Sequence, residues 1–362
     1  MGGTQRREHA IALDQPDAHA AAAAIADRLA CPLPTPSHAE HPHSLGNGAA
    51  EVALLHIERA ATGLCGWDTA HTWLAAAADG DISAGPNATL FFGAPALAFA
   101  LHAAADRPGK YERALCALDA SVTTVTRRRL DQAHARIDRG DRPALAEFDL
   151  INGLTGLGAH LLRRDPSGDL VRQVLAYLVR LTEPLGAEGL PGWWTDLAPT
   201  GRRSTHLPGG HGNFGMAHGI SGPLALLSLA MRRGIVAEGQ AAAVQRICSW
   251  LDAWRQKHET GPWWPETITL EETRLGRVKQ TRPMRPSWCY GTSGLARAQQ
   301  LAGLAIGDTD RQRMAEQALI GCLTDPDQLR RITDSSLCHG SAGLFQTAWR
   351  IAADAHAPEL TA

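Results

Sequence analysis

An all-α protein folded as an α,α-toroid, a double-layered ring of helices, is predicted by three features of the sequence. Apolar residues recur at three- and four-residue spacing through most of the chain from Ala49 onward, the period of an amphipathic helix. Five segments repeat one plan, in which a glycine turn opens an apolar helix. Longer amphipathic helices with charged faces lie between them. A helix touched on all sides is apolar all round, whereas an outer one needs a single apolar face, so the alternation implies concentric layers. Repeats roughly 50 to 70 residues apart, none able to bury its apolar face alone, close most naturally into a ring.

The elements follow in order. EVALLHIERAAT and WDTAHTWLAAAA supply the first helices after position 49. The repeat is carried by LFFGAPALAFALHAA (90–104), DLINGLTGLGAHLL (149–162), GMAHGISGPLALLSLA (215–230), WCYGTSGLARAQQLA (288–302) and LCHGSAGLFQTAW (337–349). The first copy is degenerate, with Pro95 and Ala96 where the others reach their second glycine. Amphipathic helices are expected over 169–186, 239–258 and 308–325. Two longer connections, GLPGWWTD and the stretch 261–287, carry the pairs Trp193 with Trp194 and Trp263 with Trp264, read as packing plugs. Alternation in ETITLEETRLGRV permits a short hairpin. Two units are expected: a weakly ordered or peripheral segment, residues 1–48, whose His38, His41 and His43 read as solvated linker residues, and a toroid domain, residues 49–362.

With 44% hydrophobic residues the chain can bury a sizeable core. Its 35 basic and 37 acidic residues nearly cancel, which gives no basis for nucleic-acid or anionic-membrane binding. The basic runs 127–129, 202–203 and 330–331 read as solvated helix ends. Seven irregularly spaced cysteines do not make a disulfide framework, no secretory signal is evident, and no run of about 18 apolar residues suits a membrane, so a reducing cytoplasm is expected.

If every inner helix starts with a glycine turn, the turns gather at one end of the ring and distant residues converge there. Cys289 precedes one such glycine, and Cys338 with His339 precedes another. Two thiolates and an imidazole are good zinc ligands, and three protein ligands leave a tetrahedral ion one open position, the pattern of a catalytic site. Such a centre suits thiol activation, because a coordinated thiol is deprotonated while a free one is mostly protonated at neutral pH. A single cysteine before a glycine reads as a small buried hydrophobe; two at equivalent positions, one followed by histidine, favour a metal. Cys31, Cys65, Cys116, Cys248 and Cys322 lack that context. His218 precedes Gly219, Asp149 opens the second copy, and Arg285 and Tyr290 flank Cys289. These suit proton transfer, orientation and stabilisation of negative charge, although Asp149 also reads as a helix cap, Arg285 as a surface ion pair and Tyr290 as packing. A glycosidase on a similar ring needs paired carboxylates, and the glycine turns offer only Asp149.

GMAHGISGPLALLSLA, WCYGTSG and LCHGSAG, with DLINGLTG upstream, closely resemble the lanthionine synthetase C-like family over the chain from about Ala49. The resemblance implies a toroid with one zinc ion held at Cys289, Cys338 and His339. It places His218 on the family's acid/base histidine, Asp149 on an active-site aspartate, and Arg285 and Tyr290 on active-site arginine and tyrosine positions. The implied reaction adds a cysteine thiolate of a precursor peptide to dehydroalanine or dehydrobutyrine, forming (methyl)lanthionine thioether rings, with a dehydratase and a transporter as expected partners. Two alternatives keep the site: a relative that adds glutathione or another small thiol to dehydrated proteins, and a noncatalytic zinc-stabilised scaffold.

Overall fold

The computed structural model describes residues 18–32, 41–186, 189–198 and 200–355. His38, with most of the segment before it, and residues 356–362 of the expected toroid domain lie outside them. The helices are α1 (Ala18–Arg28), α2 (Ala49–Ala61), α3 (Asp68–Ala77), α4 (Ala94–Ala104), α5 (Glu112–Asp138), α6 (Leu145–Phe148), α7 (Leu154–Arg164), α8 (Asp169–Leu181), α9 (Ser221–Arg232), α10 (Gln240–Ala253), α11 (Leu270–Leu275), α12 (Thr292–Ile306), α13 (Thr309–Thr324), α14 (Pro326–Leu329) and α15 (Ser341–Asp354). Short strands β1 (His211–Asn213), β2 (Gln256–Lys257), β3 (Pro262–Trp263) and β4 (Thr267–Thr269) lie in the longer connections.

The chain is an α,α-toroid. Helices α2, α4, α7, α9, α12 and α15 form the inner layer, each touching the next, and α3, α5, α8, α10 and α13 each cover the inner helix they follow. Composition explains the layering. About three quarters of the residues of α9 and α12 are buried, and close approach to neighbours is allowed by alanines such as Ala230, Ala296, Ala298 and Ala302. Helix α8, by contrast, turns Val171, Val174, Leu175 and Leu178 inward and leaves its other face wet. No helix among the described residues is long and apolar enough to cross a membrane.

The glycine turns have a common steric cause. A Cβ on Gly156, Gly222, Gly294 or Gly343 would meet the carbonyl oxygen of the residue six positions upstream: Leu150, Met216, Trp288 and Leu337 respectively. The second glycine of each turn therefore lets the incoming chain fold back against the first turn of the inner helix. The first copy solves the problem differently. Gly93 adopts φ 77°, where a side chain is strained, and packs on the Ser83 carbonyl, so the buried Ala96 is tolerated.

Three sequence expectations need correction. The alternation over 266–278 does not make a local hairpin: β4 pairs antiparallel with distant β1, Thr267 opposite Asn213, and the rest coils into α11. Thr269 and Glu272 form a reciprocal capping box there, a local signal stronger than the alternation. Arg129 is not at a helix end; it lies within α5 and donates to the carbonyls of Pro86, Ala88 and Asn152. Nor is His43 solvated: it is buried, its ring 4.8 Å from that of Phe92, because residues 41–48 pack against the first glycine turn. The tryptophan pairs are packing residues, all four at most 4% exposed, with Trp194 and Trp264 donating to backbone carbonyls.

Gly294→Ala forces a methyl into the Trp288 carbonyl, and overlap of this kind costs about 1–3 kcal/mol, read as a lower urea midpoint at unchanged slope. His160 and His211 are buried, their ring nitrogens without partners among the described residues, and burial pushes each down to about 4 from the ordinary 6.5. The unfolded chain takes up protons below 6.5 and the folded chain does not, so stability is complete above that value and falls as the pH drops toward about 4. Thermal scans from neutral to acidic pH should show that loss, and His160→Leu should blunt it.

Candidate metal centre and active site at the glycine rim

The turns meet at one end of the inner ring because backbone hydrogen bonds stitch them together. Leu150 N–H donates to the Ala217 carbonyl at 3.0 Å, and Met216 and Ala217 donate to the Cys289 carbonyl at 2.9 and 3.3 Å. Cys289 N–H donates in turn to the Cys338 carbonyl at 3.2 Å. Four turns are thus held in lateral register at the rim.

Cys289, Cys338 and His339 form a cluster whose ligand atoms all lie within 4.8 Å of one another. Tetrahedral zinc with Zn–S near 2.3 Å needs sulfurs roughly 3.8 Å apart, so the cluster has the size and donor set for such an ion. Cys289 is buried, with Ser287 Oγ 3.7 Å from its sulfur, whereas Cys338 is exposed at the rim. Desolvation of the Cys338 thiol and the adjacent Cys289 push it up to about 12, opposed by Arg285. Asp334, not anticipated from sequence, lies 3.6 Å from His339 Nε2 and can orient that ring, as carboxylates do for metal-binding histidines.

Beside the cluster stands a histidine–carboxylate pair. His218 Nδ1 is 2.6 Å from Asp149 Oδ2. Asp149 is 1% exposed in its side chain, and its other oxygen accepts from the Asn152 and Gly153 amides at 2.5 and 2.9 Å. One oxygen of Asp149 thus braces the turn that leads into α7, and the other holds the His218 ring. The His218 side chain keeps 26% exposure, which leaves it accessible from the rim.

Tyr290 lies next to this pair, its ring centroid 6.2 Å from that of His218. Its hydroxyl accepts from Asn213 Nδ2 at 3.0 Å, and burial pushes the phenol up to about 12 despite that bond. Asn213 was not singled out in the sequence; its place on β1, fixed by pairing with β4, is a tertiary fact. The Arg285 guanidinium forms no hydrogen bond or ion pair among the described residues, yet its charge acts on Cys338, Asp334 and Glu266. Glu266, also unanticipated, is raised by burial and lowered by Arg285, and with Tyr290 it lines a small enclosed gap behind the rim. All seven candidate residues thus gather at this rim, and the other five cysteines lie elsewhere, unpaired.

Residues 39–361 match the family described as lanthionine synthetase C-like protein. The nisin biosynthesis protein NisC of Lactococcus lactis subsp. lactis is 23% identical over 263 residues, covering 71% of this chain and 60% of that relative, less than two thirds of its length. A solved structure titled nisin cyclase superposes with a TM-score of 0.69 at 20% identity, over 92% of this chain and 80% of that one, and so shares the fold. With nearly its whole length matched, its glycine turns in order and its fold shared, the chain belongs to the lanthionine synthetase C-like family.

Proposed function

We propose that this protein is a zinc-dependent lanthipeptide cyclase that closes (methyl)lanthionine rings in a dehydrated precursor peptide. The observation that carries the proposal is the Cys289–Cys338–His339 cluster, compact enough for one ion and set beside the His218–Asp149 pair. Membership of the family and the likeness to NisC support the reaction class.

Cys289, Cys338 and His339 would hold the zinc. When bound, zinc supplies one open coordination position that lowers the pKa of an incoming substrate thiol. The remaining work falls to the chain's own groups. The overall change adds S–H across a C=C bond: sulfur bonds to the β-carbon, electron density moves to the α-carbon and its carbonyl oxygen, and a proton is returned to the α-carbon. Arg285, whose guanidinium has no competing partner among the described residues, stabilises the negative oxygen. Asp149 holds the His218 ring at Nδ1, which leaves Nε2 to carry the proton for the α-carbon. Tyr290 remains a neutral phenol at physiological pH and, steadied by Asn213, serves as a fixed hydrogen-bonding wall of the site. A dehydratase that makes the dehydro residues and a transporter that exports the product are the proposed partners, and the cytoplasm the proposed compartment.

Cys289→Ala and Cys338→Ala should each lose stoichiometric zinc by elemental analysis while keeping their helical circular dichroism; full zinc in either variant would refute the ligand assignment. His218→Gln should keep its zinc yet slow ring closure about 10²- to 10⁴-fold, the range for a general acid or base, as followed by thiol alkylation and product mass. An unchanged rate in that variant would remove His218 from the chemistry.

A further inference from the structure

A cavity of about 500 Å³ opens beside the glycine rim, between α5, residues 86–89 and the Asp149 turn. Asn87, Thr89, Arg129, Gln132, Glu147 and Asn152 form its walls. That volume is in the range of pockets that take a small ligand or a short stretch of peptide, and it excludes a folded partner.

Two observations tie the cavity to the chemistry. Asn152 immediately precedes Gly153, and in the later turns the same register position is held by His218, Tyr290 and His339. The Asn152 N–H and the His218 ring bind opposite oxygens of Asp149, at 2.5 and 2.6 Å, so a single carboxylate separates the cavity wall from the proton-carrying histidine.

The charges of the wall do not cancel. Glu147 is taken up by Arg136, at 2.6 and 3.1 Å, and by the Tyr177 hydroxyl at 2.7 Å. Arg129, by contrast, donates to three neutral carbonyls and to no carboxylate among the described residues. The Asp149 carboxylate is near enough for its charge to act on Arg129, but its oxygens are taken by two amides and the His218 ring, so the rest of the guanidinium favours a further anionic group. The amides of Asn87, Gln132 and Asn152 can each donate and accept, which is what a peptide backbone requires.

We propose that this cavity is a subsite for the substrate peptide, which rests on the cyclase reading above. It seats an extended segment next to the reacting residues, with the amides of Gln132 and Asn152 on the peptide backbone and an acidic side chain directed toward Arg129.

Gln132 is exposed on α5, so Gln132→Trp fills the cavity mouth without entering the core. The probe is a short fluorescein-labelled peptide containing cysteine, glutamate and, in place of the dehydro residue, serine, so that binding is read by anisotropy without turnover. Wild-type protein should bind it at least about tenfold more tightly than Gln132→Trp, at equal zinc content and equal circular dichroism. Gln132→Ala, which only deletes the amide, should weaken binding by a smaller factor, and glutamine in place of the peptide glutamate should weaken it several-fold. Equal binding by wild type and Gln132→Trp, or none by wild type, overturns the subsite. If binding depends on Gln132 but the dehydrated form of the peptide fails to cyclise, the subsite stands and the cyclase reading is the one that fails.

Discussion

Every functional distance in this protein depends on the chain of backbone hydrogen bonds that runs laterally through the turns, from Leu150 to Ala217, from Met216 and Ala217 to Cys289, and from Cys289 to Cys338. These are contacts between segments far apart in sequence, and each can form only if the chain doubles back tightly before its inner helix. The missing Cβ atoms of Gly156, Gly222, Gly294 and Gly343 permit that reversal. Sterics at one position in each repeat therefore control which side chains meet on the rim. Buried amides and carbonyls left without those partners would cost about 1–3 kcal/mol each, so the register is strongly held.

The site itself combines rigid and free groups. Asp149 has no remaining freedom: a buried carboxylate with two amide donors on one oxygen and an imidazole on the other is fixed in orientation and in company. Tyr290 is nearly as constrained between its burial and Asn213. The Arg285 guanidinium has no hydrogen-bonded partner among the described residues, and Cys338 is exposed. Under the proposed cyclase function, this preorganised wall with available charge and sulfur beside it would spare reorganisation as negative charge develops.

The outer layer contributes more than cover. Arg129 reaches from α5 to carbonyls in two separate connections, tying an outer helix to both the first and second turns. On the far side, Gln300 of α12 joins Glu316 of α13 to the Ile351 carbonyl of α15, a buried polar link between layers that would otherwise slide on smooth alanine and leucine surfaces. Such polar ties rest on geometry, which is why Arg129, in a run of three arginines, carries no sequence signal that separates it from a solvated residue.

Layering, repeat and the candidate Cys289–Cys338–His339 cluster could be read from the chain alone, because each rests on local physics: the helical period of apolar residues, the steric need for glycine, and the ligand chemistry of cysteine and histidine placed at equivalent positions. Asp334, Asn213 and Glu266 could not, since their meaning lies in what they face, and that is set by strand pairing and turn register rather than by neighbours in sequence. The β1–β4 pairing lay equally out of reach, as its partners are joined only once the ring has brought them together. Local chemistry decided which residues could act; only the tertiary contacts between turns decided which of them share a site.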